Sequence, residues 1–414
     1  MPEVVFSVDQ TRSMRDQEVP GHNRWHPDIP AVVTVRAGAE FRMECRDWTD
    51  AQIGDNDSAD DVRDADLTVP HMLSGPVAIE GAEPGDLLIV DILDLGPIPQ
   101  QSGAVAGQGW GYTGVFAKEN GGSFLTEHFP GASKAVWDFH GLYATSRHLP
   151  GVRFAGITHP GLFGTAPSAD LLATWNRRER ALIDTDPGRV PPLAWPPQPH
   201  GGLAGTASGD AAERVLAEGA RTVPPREHGG NQDIKNFSRG ARVFCPVFVD
   251  GANLSVGDLH FSQGEGEITF CGAIEMGGFI DFHVDLIKGG MEKYGVTSNP
   301  VFLPGNVEPR YSEFLSFVGI SVDESGTNHY LDATIAYRRA CLNAIEYLKK
   351  WGYSGEQAYL LLGAAPIEGR ISEVVDAPNA CCSLYIPTAI FDFDVRPNAE
   401  GPVKEDRGRC ALTS

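Results

Sequence analysis

Residues 253–276, NLSVGDLHFSQGEGEITFCGAIEM, decide the fold. Two runs rich in strand formers flank SQGEG, whose glycines Gly264 and Gly266 permit a tight reversal, so the segment reads as a β-hairpin. On a strand, residues i and i+2 share a face. Asp258 and His260 therefore project together, with Cα atoms about 7 Å apart, close enough for their side chains to converge on one ion. Glu267 opens the return strand beside them. Carboxylate, imidazole and carboxylate form a common ligand set for zinc or another divalent cation. A further carboxylate nearby can act as base toward water. Glu275 shares parity with Glu267, but a straight strand would separate them by about 27 Å. Both reach one ion only if Gly272 bends the strand. The competing reading is a polar turn on an exposed hairpin.

Outward from this hairpin, strands recur. ARVFCPVFV (241–249) precedes it and FIDFHVDLI (279–287) follows it. AVVTVRAG (31–38), EFRMECRDW (40–48), PVAIEG (76–81) and DLLIVDILDL (86–95) are short, apolar or alternating, and punctuated by Gly, Pro and Asp. One helix is plain. ATIAYRRACLNAIEYLKKWG (333–352) sets Ile335, Ala336, Ala340, Cys341, Ala344, Ile345, Leu348 and Trp351 on one stripe, with Gly352 as its stop. A second helix, GEQAYLLLG (355–363), follows Ser354, whose spacing to Gln357 fits a capping box. A third is expected within 166–184, and RISEVVD reads as a closing strand. The glycine- and aromatic-rich GQGWGYTGVF, VWDFHGLYA and ITHPGLFGTAP (within 97–165) suit loops that wrap a pocket. DPGRVPPLAWPPQPHGG (186–202) has too many prolines for a regular element. The fold class is α+β, predominantly β, with sandwich- or barrel-like sheets and a few helices. Two units are expected, 1–200 and 201–414, with strands free to intertwine across the boundary.

The chain has 414 residues and a formal charge of -22, which repels phosphate backbones and argues against a nucleic-acid partner. The acidic run DNDSADDVRDADL (55–67) is either a solvated loop or a cation site. Seven cysteines without CxxC spacing argue against a disulfide framework and a cysteine-rich zinc module. The N-terminal residues lack the pattern of a secretory signal, and no apolar run approaches the roughly 20 residues a membrane span needs. A cytoplasmic protein with no membrane partner is the expectation.

Other motifs carry weaker signals. In EHGGNQD (227–233), the backbone N–H groups of Gly229 and Gly230 and the Asn231 amide can cradle an oxyanion, and Asp233 can be a ligand or base. The plainer reading is an Asn/Gly turn. His71, beside the SGP turn, reads as a hydrogen-bonded structural residue. Asp47 stands at a strand end and could face the same pocket. HNRWH (22–26) is a loop, because Pro27 disfavours helical geometry at His26. GQGWGYTG lacks the Lys-Ser/Thr of a phosphate loop, and no GxSxG elbow is present. Cys381 and Cys382 could supply a thiol nucleophile, though nothing local marks a base.

HNRWHPDIP, NDSADDVRDADL, HMLSGPVAIEGAEPGDLL, HGGNQDIKN and GDLHFSQGEGE together resemble the acetamidase/formamidase family, its formamidase branch in particular. The resemblance runs through GYSGEQAYLLLGAAP and RISEVVD. Many members of that family read TGP and GDGE where this chain has Ser74-Gly75-Pro76 and Gly264-Glu265-Gly266-Glu267. The resemblance implies hydrolysis of a short aliphatic amide, formamide above all, to the acid and ammonia. It also implies a β-rich α+β fold, a homo-oligomer (trimer or higher) and a divalent metal, zinc foremost. The family-like positions are Asp47, Asn231, Asp233, Asp258, His260, Glu267 and Glu275. Asp47, Asp258, His260 and Glu275 are expected at the metal, and Glu267 and Asp233 in catalysis. Gly229, Gly230 and Asn231 are expected on the substrate. The alternatives are an amidase with a cysteine or carboxylate nucleophile, and a non-enzymatic protein that binds short amides.

Overall fold

In the computed structural model, residues 2–99 and 109–414 are described. The strand Leu254–Gln263 is buried at every position. It pairs antiparallel with Phe270–Met276, with His159–Gly164 and with Leu73–Ile79. This is the heart of a twelve-stranded sheet, and it buries even the polar Ser255, Asp258 and His260 of LSVGDLHF. The expected hairpin is present, but it is not exposed. Its tip packs under the helix Gly355–Ala364, where the Gly264 N–H donates to the Gly363 carbonyl at 2.7 Å.

A second, six-stranded sheet runs in the order Glu3–Phe6, Glu40–Cys45, Gly278–Ile287, Leu87–Pro97, Arg242–Pro246, Val301–Leu303. Both large sheets thus interleave strands from either side of residue 200. A three-stranded sheet centres on Cys381–Pro387, flanked by Phe314–Ile320 and Glu368–Glu373. The fold is α+β and predominantly β, as expected.

The helices follow their caps. Ala169–Ile183 starts at Ser168, whose hydroxyl accepts from the Leu171 N–H. Ala333–Lys349 starts at Asp332, whose carboxylate accepts from Thr334 and Ile335. Gly355–Ala364 has the full Ser354/Gln357 capping box and is buried from Gln357 to Ala364. Of RISEVVD, only Arg370 to Glu373 are in a strand, Glu368–Glu373, and it is an edge strand rather than a closing one, because Cys381–Pro387 follows and pairs with it. The proline-rich stretch holds only the short 3-10 turns Pro187–Arg189 and Pro192–Ala194.

The three glycine-rich segments are strands where loops were expected: Trp110–Val115, Ser133–His140 and His159–Gly164. The first residues of GQGWGYTG, 107–108, lie outside the described residues. Glycine here marks close approach rather than a turn. A Cβ on Gly161 would stand 2.5 Å from His260 Cε1, 2.6 Å from Asp258 Oδ2 and 2.7 Å from Asp233 Oδ1.

The acidic run DNDSADD carries its own cation. The buried Lys134 ammonium donates to the Gly54 carbonyl at 2.9 Å, Asn56 Oδ1 at 3.1 Å and Asp61 Oδ2 at 2.7 Å. Among the described residues no helix is long and apolar enough to cross a membrane.

Candidate active site

Two overlapping groups of ligand-type atoms meet at His260. The first is Asp233, Asp258 and His260; the second is His260, Glu267 and Glu275. Within each group the atoms lie within 4.8 Å of one another. His260 Nε2 stands 3.2 Å from Asp258 Oδ1 and 3.1 Å from Glu275 Oε2.

The backbone brings these side chains together against its ordinary preferences. Glu267 does not open the return strand. It lies in the turn, its N–H donating to the Gly264 carbonyl, and the strand begins only at Phe270. The pairing of the hairpin slips between His260 and Gln263, a bulge that shortens the path further. Glu267 and Glu275 are therefore neighbours in space, contrary to the separation a straight strand would impose. A side chain on Gly272 would overlap Glu267 Cγ. Asp233, Asp258 and Glu267 all take positive φ, at 50°, 54° and 47°. Such conformations cost about 1–3 kcal/mol each and concentrate at functional sites.

Gln263 decides which nitrogen of His260 faces the carboxylates. Its amide N–H₂ donates to the Asp233 carbonyl at 2.7 Å, so its Oε1 faces His260 Nδ1 at 2.9 Å. Nδ1 must carry a hydrogen there, and Nε2 points at the acidic cluster. His159 Nε2 approaches the same Gln263 oxygen at 2.9 Å and backs the arrangement.

Four carboxylates around one imidazole perturb one another strongly. Burial and the Asp258 charge push Asp233 up to about 7. Burial and Asp233 raise Glu267 well above the usual carboxylate range. Burial raises Glu275 to about 8, ahead of the opposing pull of His260. Burial also acts to raise Asp258, but the nearby His260 charge outweighs it and holds it near 2. Burial opposes a charge on His260, yet Glu275 and Asp258 prevail and raise its proton affinity well above that of free imidazole. His260 balances one ionised carboxylate, Asp258; ionising the other three as well would call for more positive charge than the imidazole supplies.

Asp233 Oδ1, Asp258 Oδ2, His260 Nε2 and Glu275 Oε2 are buried without a hydrogen-bond partner. Uncompensated groups of this kind are costly. Imidazole nitrogen with carboxylate oxygens is a donor set that suits zinc or a similar divalent ion. The residues fit such a cation.

Asp47 is not among them. Its oxygens accept from the Thr49 N–H and hydroxyl, the Ala51 N–H and the Tyr112 hydroxyl. It ties down the turn that presents Trp48. Gly229 and Gly230 are not a loop either. With Asn231 they form a short strand paired on both sides, with Leu162–Gly164 and with Pro225–Arg226. Asn231 alone of the three reaches the site, its Oδ1 buried and unpartnered. Glu265 turns away to pair with Lys235 at 2.9 Å.

The cluster forms one side of a cavity of about 20 Å³, lined by Trp48, His71, Val223, Asn231, Asp258, Glu267, Phe270 and Glu275. Glu275 also lines a wider chamber of about 880 Å³ with Asp47, Trp110 and Tyr112. His71, read from sequence as structural, belongs to the site. Its ring lies on Trp48 with centroids 4.9 Å apart, and burial lowers its pKa to about 4. Trp48, Val223 and Phe270 carried no signal in the sequence, because apolar residues near turns are common. Gln263, three positions after His260, could have been found only by anticipating the bulge. His22 and His26 serve structure: His22 contacts Ser255 and the Arg24 carbonyl, and His26 meets Glu218.

A buried carboxylate–imidazole cluster opening on a small cavity, set at the centre of a β-rich α+β fold, defines a candidate hydrolytic site. Residues 7–393 match the family model described as the Acetamidase/Formamidase family, and the chain belongs to that family. It is 73% identical over 370 residues to an acetamidase from Mycolicibacterium smegmatis, covering 89% of this chain and 91% of that one. It is 62% identical to a formamidase from Methylophilus methylotrophus, covering 96% of each. The structure of a gamma lactamase from Delftia acidovorans superposes with a TM-score of 0.95 at 59% identity, covering 100% of this chain and 99% of the other. The chain is an enzyme, a hydrolase of the carbon–nitrogen bond of linear amides.

Proposed function

We propose that this chain hydrolyses formamide, and other short aliphatic amides, to the carboxylic acid and ammonia. The observation that carries this reading is the clustering of Asp233, Asp258, His260, Glu267 and Glu275 beside a cavity of about 20 Å³ that Asp258, Glu267 and Glu275 line, which suits a very small substrate. Asp233, Asp258, His260 and Glu275 would hold a divalent cation, zinc foremost. Bound there, the cation would supply Lewis acidity toward the amide carbonyl and toward water.

The chain's own groups do the rest. Asn231 Oδ1 accepts an N–H of the amide and fixes its orientation. Glu267 takes a proton from the attacking water and returns it to the nitrogen as the carbon–nitrogen bond breaks. Trp48 and His71 close the floor against bulk water. The test is ammonia release from formamide by the purified protein with its metal content determined; no release from any short amide would end this reading. The thiol alternative has no such support, since no cysteine lines the cavity. Cys382 Sγ donates instead to the Ala333 carbonyl.

The cation reading has a pH signature. Asp233, Glu267, Glu275 and His260 all bind protons more tightly folded than unfolded. Their contribution is present at low pH and is lost as pH rises through the folded values, near 7 to 8 for Asp233 and Glu275. Asp258 acts in the opposite sense, but only near pH 2 to 4. Metal-stripped protein should thus lose thermal stability between pH 5 and 8. Added zinc should restore it, with the larger gain at pH 8, because cation and protons compete for the same atoms. Equal gains at both pH values in a melting experiment would contradict this.

A homo-oligomer, trimer or higher, is part of this proposal, and the exposed Val301 and Leu303 on an edge strand, with Val307 beyond it, offer an apolar face for subunit contact. Light scattering showing a monomer would refute it.

A further inference from the structure

We infer that Phe270, together with Val223, sets the upper size of the acyl group this site accepts. The inference rests on the function proposed above and deepens it. The cavity has a floor and a rim. Trp48, His71, Asn231, Asp258 and Glu275 are buried and form the floor. Val223, Glu267 and Phe270 are half-buried and form the rim. Glu267 is polar, so an alkyl chain growing outward from the carbonyl carbon meets Val223 and Phe270.

Phe270 is held where it is. Its ring packs edge-on against Phe116 with centroids 5.4 Å apart, and Phe116 packs against Trp48 at 6.2 Å. Trp48 in turn lies on His71, so a continuous aromatic wall runs from rim to floor. The ring cannot swing aside without disturbing that wall. Phe270 also adopts φ of 80°, a region that favours glycine and strains a bulky residue. A phenylalanine kept at a glycine conformation, on the rim of the cavity, is placed for its ring. With only about 20 Å³ between floor and rim, an added methylene comes up against Phe270 or Val223.

Phe270→Gly is the informative substitution, since it removes the ring while suiting the local backbone. Val223→Ala is the second variant, acting through size alone. The experiment measures kcat/KM for ammonia release from formamide, acetamide, propionamide and butyramide by zinc-loaded wild type and both variants. In parallel it measures the shift in Tm caused by formate and by butyrate.

One methylene in an apolar pocket changes selectivity by about 10–200-fold. The butyramide-to-formamide ratio should therefore rise at least about tenfold in Phe270→Gly, and more modestly in Val223→Ala, with butyrate protecting the variants but not wild type. Ratios within about twofold of wild type in folded variants, with butyrate protecting all three alike, would overturn the inference. Wild type that releases no ammonia from any of the four amides would defeat the hydrolytic reading instead. The carboxylate shifts would still report the size limit in that case.

Discussion

His260→Ala should lower ammonia release from formamide by about 10³-fold or more and leave the protein without stoichiometric divalent metal. His260 is the member common to both ligand groups, so its loss dismantles both at once. The chemistry a cation supplies is worth several kcal/mol at the transition state, and each 1.36 kcal/mol is tenfold in rate. The substitution also removes the positive partner 3.2 Å from Asp258 and 3.1 Å from Glu275. Buried carboxylates left unpaired in this way typically cost about 3–5 kcal/mol. The variant should therefore melt earlier than wild type at pH 8 and recover on acidification, as the carboxylates take up protons. His260→Gln, which keeps much of the volume, separates loss of the ligand from loss of packing. Kinetics, metal analysis and melting at pH 5 and 8 on the same samples are sufficient. Full activity in a metal-free His260→Ala protein would show that the imidazole only fills space.

Glu267→Gln should act in opposite directions on rate and stability. The amide keeps the shape of the side chain but cannot take a proton from water, and general-base catalysis typically contributes 10²–10⁴-fold. We expect kcat to fall by about that factor with KM little changed. Stability should move the other way. Burial and the neighbouring Asp233 make the ionised Glu267 unfavourable in the fold. Glutamine resembles the protonated form and removes that repulsion. Metal-stripped Glu267→Gln should thus melt higher than metal-stripped wild type at pH 8, with the difference shrinking toward pH 5. A kcat within tenfold of wild type would move the base elsewhere in the cluster, with Asp233 next.

Parts of this fold were legible in the chain because their determinants are local. The helix 333–349 announced itself by a stripe of small and apolar residues, and the helix after Ser354 by its capping box. The hairpin at 254–276 was visible because strand formers flank a glycine turn. The segments at 110–115 and 159–164 were misread as loops for a physical reason. Their glycines are required by strands and side chains packed against them from distant parts of the sequence, and nothing in the neighbouring residues records that.

The site divides in the same way. Asp258 and His260 could be paired from sequence, since the two-residue repeat of a strand puts them on one face. Asp233 and Glu267 were named for their chemistry, but their convergence depends on left-handed backbone at both positions and on Gly272 leaving room. A straight strand beginning at Glu267 would hold Glu275 about 27 Å away. The late start of that strand removes the separation. Asp47 had the right chemistry in the wrong company, since the neighbouring turn and Tyr112 occupy its oxygens.

By itself, then, the sequence determined the β-rich class, the capped helices and the residue types able to bind a cation and move a proton. Only the tertiary structure decided which carboxylates share the imidazole, which nitrogen His260 turns toward them, and how small the cavity beside them is. Those outcomes depend on distances between residues far apart in the chain, set by sheet pairing, bulges and close glycine contacts that no local pattern encodes.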